Sequence, residues 1–172
     1  MIIGIVLSAG ESKRMGTPKQ LLPWGETTML QQVIKNAGAS KLSQVLVVLG
    51  HRADEIAGAI TASSRTRLLV NHDFRTGMIS SIQCGIRNAP ADAEAFMILL
   101  GDQPFIGADV IDGLIDIYRV RKYGIVIPVC DGRRGHPVIL NLRYGEELLS
   151  LRDQGAREVI RRHSRDVFEV PM

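Results

Sequence analysis

Short runs of consecutive apolar residues, separated by stretches with helical spacing, constrain this chain more than any other feature. The runs are "IIGIVL" (2–7), "QVLVVLG" (44–50), "RLLVN" (67–71), "AFMILLGD" (95–102), "GIVIPV" (124–129), "HPVILN" (136–141) and "DVFEV" (166–170). A strand with one wet face alternates apolar and polar side chains. Several of these runs do not alternate, as expected where a parallel sheet is covered on both faces. Between them, Met29, Leu30, Val33, Ile34 and Ala37 recur at helical spacing behind a capping Thr27 or Thr28. Residues 52–60, 78–88 and 108–121 follow the same pattern, and 144–151 and 155–163 are shorter helix candidates. Strand and helix alternate through the first 120 residues. That order predicts a three-layer α/β fold around a mostly parallel, doubly wound, Rossmann-like sheet. After Gly124 two apolar runs follow each other without a helix, and "CDGRRG" (130–135) between them is a turn signal. Residues 125–129 and 136–141 are therefore expected to pair as a hairpin.

A chain of 172 residues suits one domain and can bury a sizeable core without a disulfide or metal staple. Its formal charge of +3 is small and scattered, which argues against a nucleic-acid partner. Cys84 and Cys130 belong to no CxxC pair, the pattern of a reduced intracellular chain. No apolar stretch approaches the ~20 residues of a membrane span. The opening "MIIGIVL" reads as a strand and not as a signal peptide. A cytoplasmic protein without a membrane partner is expected.

Ligands of open α/β sheets sit outside the carboxyl ends of the strands, so four segments matter most. The first is "LSAGESKRMGTPKQLLP" (7–23). Gly10 and Gly16 permit tight turns and close backbone approach, and Lys13, Arg14 and Lys19 add positive charge. Such a loop can cradle a triphosphate with backbone N–H groups, or it is a solvated basic loop. A Walker loop is excluded because Thr17 and Pro18 follow Gly16, and GxGxxG is missing. The second is "MILLGDQPFI" (97–106), where Asp102 stands just past an apolar strand. A carboxylate there suits Mg²⁺ bound together with substrate phosphates; the alternative is that it caps the helix from Gly107 or satisfies a turn. In the third, "NHDFRTGMISSIQCG" (71–85), Ser80 and Ser81 either cap a helix start or read a nucleobase edge. In the fourth, "GRRGHPVIL" (132–140), His136 has no triad partners and no metal-ligand spacing. Contact with a substrate is the role it would fill, if it is not structural.

Taken together, "LSAGESKRMGTPKQLLPWGETTML" resembles the amino-terminal signature of MobA-like nucleotidyltransferases, "LAAGxSxRMGxxKxLLPxxGxxxL", which wraps a nucleoside triphosphate. "GDQP" (101–104), the Asn71-to-Gly85 spacing "NxxxxxGMxxSIxxG" and "GRRGHPVIL" are similar to the branch that contains molybdenum cofactor cytidylyltransferases. The likeness runs from residue 2 to about 170. It implies a sheet of the nucleotide-diphospho-sugar transferase type, in one domain over residues 1–172. It also implies roles. Leu7, Ser8, Ala9 and Gly10 would contact base and ribose, with Gly101 and Ser81 near the nucleotide. Arg14 and Lys19 would hold the triphosphate and stabilise the leaving pyrophosphate. Asp102 would bind Mg²⁺. In this family "LAAG" goes with cytidine and "LAGG" with guanosine. "LSAG" carries the alanine of the former, with Ser8 as a departure.

The implied reaction is transfer of CMP from CTP, or of another nucleotide from its triphosphate, to a molybdopterin-type acceptor. Such chemistry needs positioning and charge neutralisation but no nucleophilic side chain. A molybdenum hydroxylase apoenzyme is an implied partner. Relatives continue into an acidic "DIDTPEDL" segment that completes their metal site, whereas this sequence stands at "DVFEVPM". The domain is expected to lack that segment, and Asp166 lies too early to replace it. Two rivals stay open: transfer to a sugar phosphate or other phosphorylated acceptor, and a non-catalytic protein that binds or inserts the cofactor.

Overall fold

The order of the strands explains where a ligand can go. The structure, a computed structural model, describes residues 1–11, 17–152 and 155–172. At its centre lies β1 (Ile2–Ser8), flanked in parallel by β4 (Gln44–Leu49) and β6 (Ala95–Leu100). β5 (Thr66–Val70) extends the parallel side beyond β4. On the other side β9 (Val138–Asn141) runs antiparallel between β6 and β7 (Ile125–Cys130), and β10 (Val167–Pro171) closes the edge parallel to β7. The order is β10-β7-β9-β6-β1-β4-β5. The short β2 (Pro23–Trp24) and β3 (Thr27–Thr28) form a separate two-stranded ladder that sequence periodicity did not announce.

Consecutive apolar residues in β1 serve two cores at once, because successive side chains point to opposite faces. Ile2 and Val6 join one core; Ile3 and Ile5 join the other. The first core is covered by α1 (Met29–Ala39), α2 (Ala53–Gly58) and α4 (Ala108–Arg121). The second is covered by α3 (Met78–Arg87), α5 (Gly145–Ser150) and α6 (Arg157–Arg162). The three layers follow directly, and every expected helix is present. Of the two candidate caps of α1, it is Thr28 whose hydroxyl accepts the Gln31 N–H, at 3.3 Å. Among the described residues no helix is long and apolar enough to cross a membrane.

The expected hairpin forms with an interruption. β7 pairs with β8 (Arg133–Arg134) through Val129 and Cys130, then with β9 through Val126 and Ile125. From Val126 to Val129 is three steps, but from Ile139 back to Arg134 is five. Two residues bulge out of the ladder, and the stretch that carries them is Gly135, His136 and Pro137. A bulge of this kind re-aims side chains and ends regular pairing.

Candidate active site

The carboxyl ends of β1 and β6 open into a cavity of about 330 Å³. It is lined by Leu7, Ser8, Ala9 and Gly10 from the end of β1, Lys19 and Gln20 from the next turn, Ser81 from α3, and Gly101 and Asp102 after β6. Residues separated by more than ninety positions in sequence therefore meet at the point where chain direction around β1 switches. That is where open α/β sheets bind ligands.

Backbone hydrogen bonds tie the end of β1 to the segments that follow β6 and β4. The Gly101 N–H donates to Leu7 O at 2.9 Å, and the His51 N–H donates to Ala9 O at 3.2 Å. A Cβ at residue 101 would stand 2.7 Å from Ser8 Oγ and 3.1 Å from Leu7 O, so only glycine fits there without a shift. Sequence reasoning did not single out Gln20. Its buried side chain donates through Nε2 to Ser8 O at 3.0 Å and Gly10 O at 3.3 Å. Two carbonyl acceptors require the amide nitrogen on that side, which leaves Oε1 facing away. Gln20 Oε1 and Ser8 Oγ are both buried without a hydrogen-bond partner among the described residues. A buried glutamine in a single 3-10 turn has no periodicity to reveal it, so no signal beyond its place between Lys19 and Leu21 marked it.

At the cavity mouth Lys19 Nζ lies 2.8 Å from Asp102 Oδ2. The two side chains come from a single 3-10 turn (Lys19–Leu21) and from the loop after β6. The capping alternative for Asp102 does not hold: the N-cap of α4 is Gly107, with no side-chain cap bond. The loop that carries Asp102 is tied to α1 by Asn36, whose Nδ2 donates to Pro104 O at 3.0 Å and Ile106 O at 2.8 Å. Both partners of the ion pair are 43% exposed, so its net stabilisation is about 0–1 kcal/mol. A ligand can open it at little cost.

The capping alternative for Ser80 and Ser81 is also corrected. The N-cap of α3 is Gly77, without a side-chain cap bond. Buried Asn71 instead donates through Nδ2 to Ser80 Oγ at 2.8 Å and Ser81 Oγ at 3.0 Å, while its Oδ1 accepts the Asp73 N–H at 3.0 Å. Ser81, which accepts from Asn71, lines the cavity from the α3 side. Gly77 at φ +112° and ψ 173° makes the turn into the helix.

His136 stands apart from this cavity. It lines a second one of about 420 Å³, with Arg134 and Arg157. Met78 borders both. Burial pushes the His136 imidazole below its ordinary pKa, the positive charge of Arg157 adds to this, and Asp102 opposes it. Arg14, with Lys13 and Gly16, lies outside the described residues. Among the described residues no group of three or more His, Cys, Asp or Glu side chains could hold a metal.

Residues 4–167 match the family model of the MobA-like NTP transferase domain. The chain is 30% identical over 138 residues to the molybdenum cofactor cytidylyltransferase of Escherichia coli, covering 80% of this chain and 68% of that protein. It is 29% identical over 168 residues to the nicotine blue oxidoreductase of Paenarthrobacter nicotinovorans, covering 93% and 81%. In three dimensions it is similar to Rv0371c of Mycobacterium tuberculosis H37Rv, with a TM-score of 0.87 at 30% identity over 99% of this chain and 87% of the other. A further structure of Rv0371c, in complex with manganese, superposes with a TM-score of 0.81 at 27% identity over 99% of this chain and 88% of the other. The sheet is thus of the nucleotide-diphospho-sugar transferase type.

Proposed function

The chain belongs to the MobA-like NTP transferase family, and from that premise we propose that it transfers CMP from CTP to a phosphate of a molybdopterin-type acceptor. The relatives include one named as a cytidylyltransferase and one named as an oxidoreductase, so kinship alone does not choose the chemistry. The observation that carries the reading is the Lys19–Asp102 pair at the mouth of the cavity. A cation and a carboxylate side by side are what a metal-bound triphosphate needs from a protein.

In this reading the β1 end, Leu7 to Gly10, receives base and ribose. Ser81 donates to the nucleotide from the opposite wall, and Lys19 takes a phosphate oxygen. Arg14 has the same role as Lys19. The acceptor phosphate oxygen attacks the α-phosphorus in line, the α–β bridging bond breaks, and pyrophosphate leaves. The new bond joins acceptor oxygen and α-phosphorus, so no protein side chain is modified. Catalysis comes from positioning and from stabilising charge on the equatorial and leaving oxygens.

The residues fit Mg²⁺ in its usual manner. Mg²⁺ takes one or two carboxylates and completes its shell with water and substrate phosphates. The Asp102 carboxylate, which lines the cavity, would hold it, and the metal would neutralise triphosphate charge. Lys19 would then exchange its carboxylate partner for phosphate.

The test is pyrophosphate release from CTP, GTP and UTP, each with molybdopterin and with a sugar phosphate. CTP with molybdopterin is expected to be the productive pair. Lys19→Ala and Asp102→Ala are each expected to lower release by about a hundredfold or more, with unchanged circular dichroism. Undiminished turnover in either variant would sink the assignment. Cofactor binding without pyrophosphate release, in excess Mg²⁺, would assign the cleft to carriage instead of transfer.

A further inference from the structure

The two edges of the sheet are finished differently. At one edge, β10 is bound to β7 through alternate residues, and the Met172 N–H continues the pattern by donating to Val129 O at 2.9 Å. The pleat therefore turns the backbone groups of Val167, Glu169 and Pro171 outward. Pro171 has no N–H to offer, and the Glu169 side chain is engaged by Arg134 at 2.7 Å. An edge with a proline and a charge on it is blunted against further pairing. The other edge, β5, has neither a proline nor a bulge. The Val45 N–H donates to Arg65 O and the Asn71 N–H to Leu49 O, both at 2.8 Å, which assigns the odd-numbered residues of this stretch to β4. Thr66, Leu68 and Val70 thus present their backbone groups outward. The Thr66 N–H is spent on Ser63 O at 2.9 Å. The N–H and C=O groups of Leu68 and Val70 bond to no described residue. Leu68 is only partly buried against the first core, and Val70 is 46% exposed.

We propose that β5 pairs antiparallel with β5 of a second copy of this chain, about a twofold axis at Leu69. The edge is self-complementary in that register, as an isologous interface requires. Opposed residues that face each other across an antiparallel ladder exchange both N–H···O bonds. With Leu69 on the axis, Leu68 stands opposite Val70 of the partner subunit, and Val70 opposite Leu68 of the partner subunit. Every free donor of the edge then reaches a free acceptor, and apolar side chains meet apolar side chains. The spent Thr66 N–H stays outside the ladder. Neighbouring registers are poorer. An axis at Leu68 sets Val70 against Thr66 of the partner subunit, whose donor is already used. An axis at Arg67 sets two guanidinium groups directly opposite each other, which is destabilising. So short a ladder is small beside a standard interface of about 1,600 Å², so the dimer dissociates on dilution. Since β1 and β5 both run parallel to β4, the twofold points the nucleotide clefts of the two copies in opposite directions. The proposal does not depend on the transferase reading.

Sedimentation velocity of the full chain, from low micromolar to millimolar concentration, is expected to show a reversible monomer–dimer equilibrium. Val70→Pro removes an outward donor without touching the ladder to β4, and is expected to weaken dimerisation about tenfold or more. Val70→Lys keeps the donor and places a charge on the edge. It is expected to have the same effect, and it carries the test if the proline variant does not fold. Amide exchange followed by NMR reads the register. Leu68 and Val70 are expected to exchange more slowly as concentration rises, while Val167 and Glu169 at the blunted edge stay unchanged. A chain that remains monomeric at millimolar concentration leaves β5 to some other occupant and overturns the proposal. Unchanged dimer affinity in either folded variant overturns it too, as does concentration-dependent protection at Val167 and Glu169 in place of Leu68 and Val70.

Discussion

Gln20 and Ser8 show how much of a site can rest on side chains that carry no chemistry. Gln20 holds both shoulders of the loop after β1 through Ser8 O and Gly10 O. Gln20→Leu keeps the volume and leaves two carbonyls without that donor. Chemical denaturation is expected to show a loss of about 2 kcal/mol, and titration a weaker affinity for CTP. A stability equal to that of the parent would mean that the loop is held by other bonds. Ser8 makes the opposite case. Its hydroxyl is buried with no partner among the described residues, so Ser8→Ala removes an unsatisfied group and is expected to leave the melting temperature level or higher. A fall in melting temperature would reveal a partner for the hydroxyl. Much of this constellation was legible in the sequence: Leu7 to Gly10, Lys19, Ser81, Gly101 and Asp102 line one cavity. Gln20, Asn71 and Arg157 were not legible as partners. Their roles depend on contacts between distant segments, which no local spacing encodes.

At the scale of elements, two turns decide where the functional groups point. The turn into α3 passes through Gly77 at φ +112° and ψ 173°, a region that side chains avoid. A Cβ there would meet no neighbouring atom within 4 Å, so any effect of substitution is purely conformational. Gly77→Ala is expected to lose about 1–3 kcal/mol. Because Asn71 ties the same turn to Ser81, CTP affinity should fall with it. A variant as stable as the parent, measured by urea denaturation, would mean that the turn adopts another conformation without penalty. The second turn is the bulge at Gly135–Pro137. Sequence reading found the two strands and the turn between them, since apolar runs and "CDGRRG" are local signals. It did not find the two extra residues that interrupt the ladder. Register is set by which side chains fit across the pair, and that information is spread over β6, β7 and β9.

The whole molecule couples these turns to solution conditions through its ionisable groups. His136 sits below its ordinary value of 6.5 because burial and Arg157 disfavour the imidazolium, with Asp102 opposing. The folded state therefore binds this proton less readily than the unfolded state does. Its contribution is fully present above the ordinary value and is lost progressively as pH falls beneath it. The carboxylates of the last third of the chain behave with the same sign but lower on the scale. Burial pushes the Asp166 carboxyl up, yet hydrogen bonds from Tyr144, the Gly124 backbone and Arg143 outweigh it and hold the group below 3.8. The His163 hydrogen bond, with Arg162, holds Glu147 below 4.5. Those contributions are present above the ordinary carboxylate values and are lost on further acidification. Urea midpoints should thus be level above about pH 6.5, fall in a first stage below it, and fall again below about pH 4.5. His136→Gln is expected to flatten the first stage and leave the second in place. Asp166→Asn is expected to lower stability at neutral pH and to flatten the second stage. If His136→Gln retains the whole first stage, the burial that lowers its pKa is relieved in solution, and the rim of the second cavity is more open than its geometry indicates.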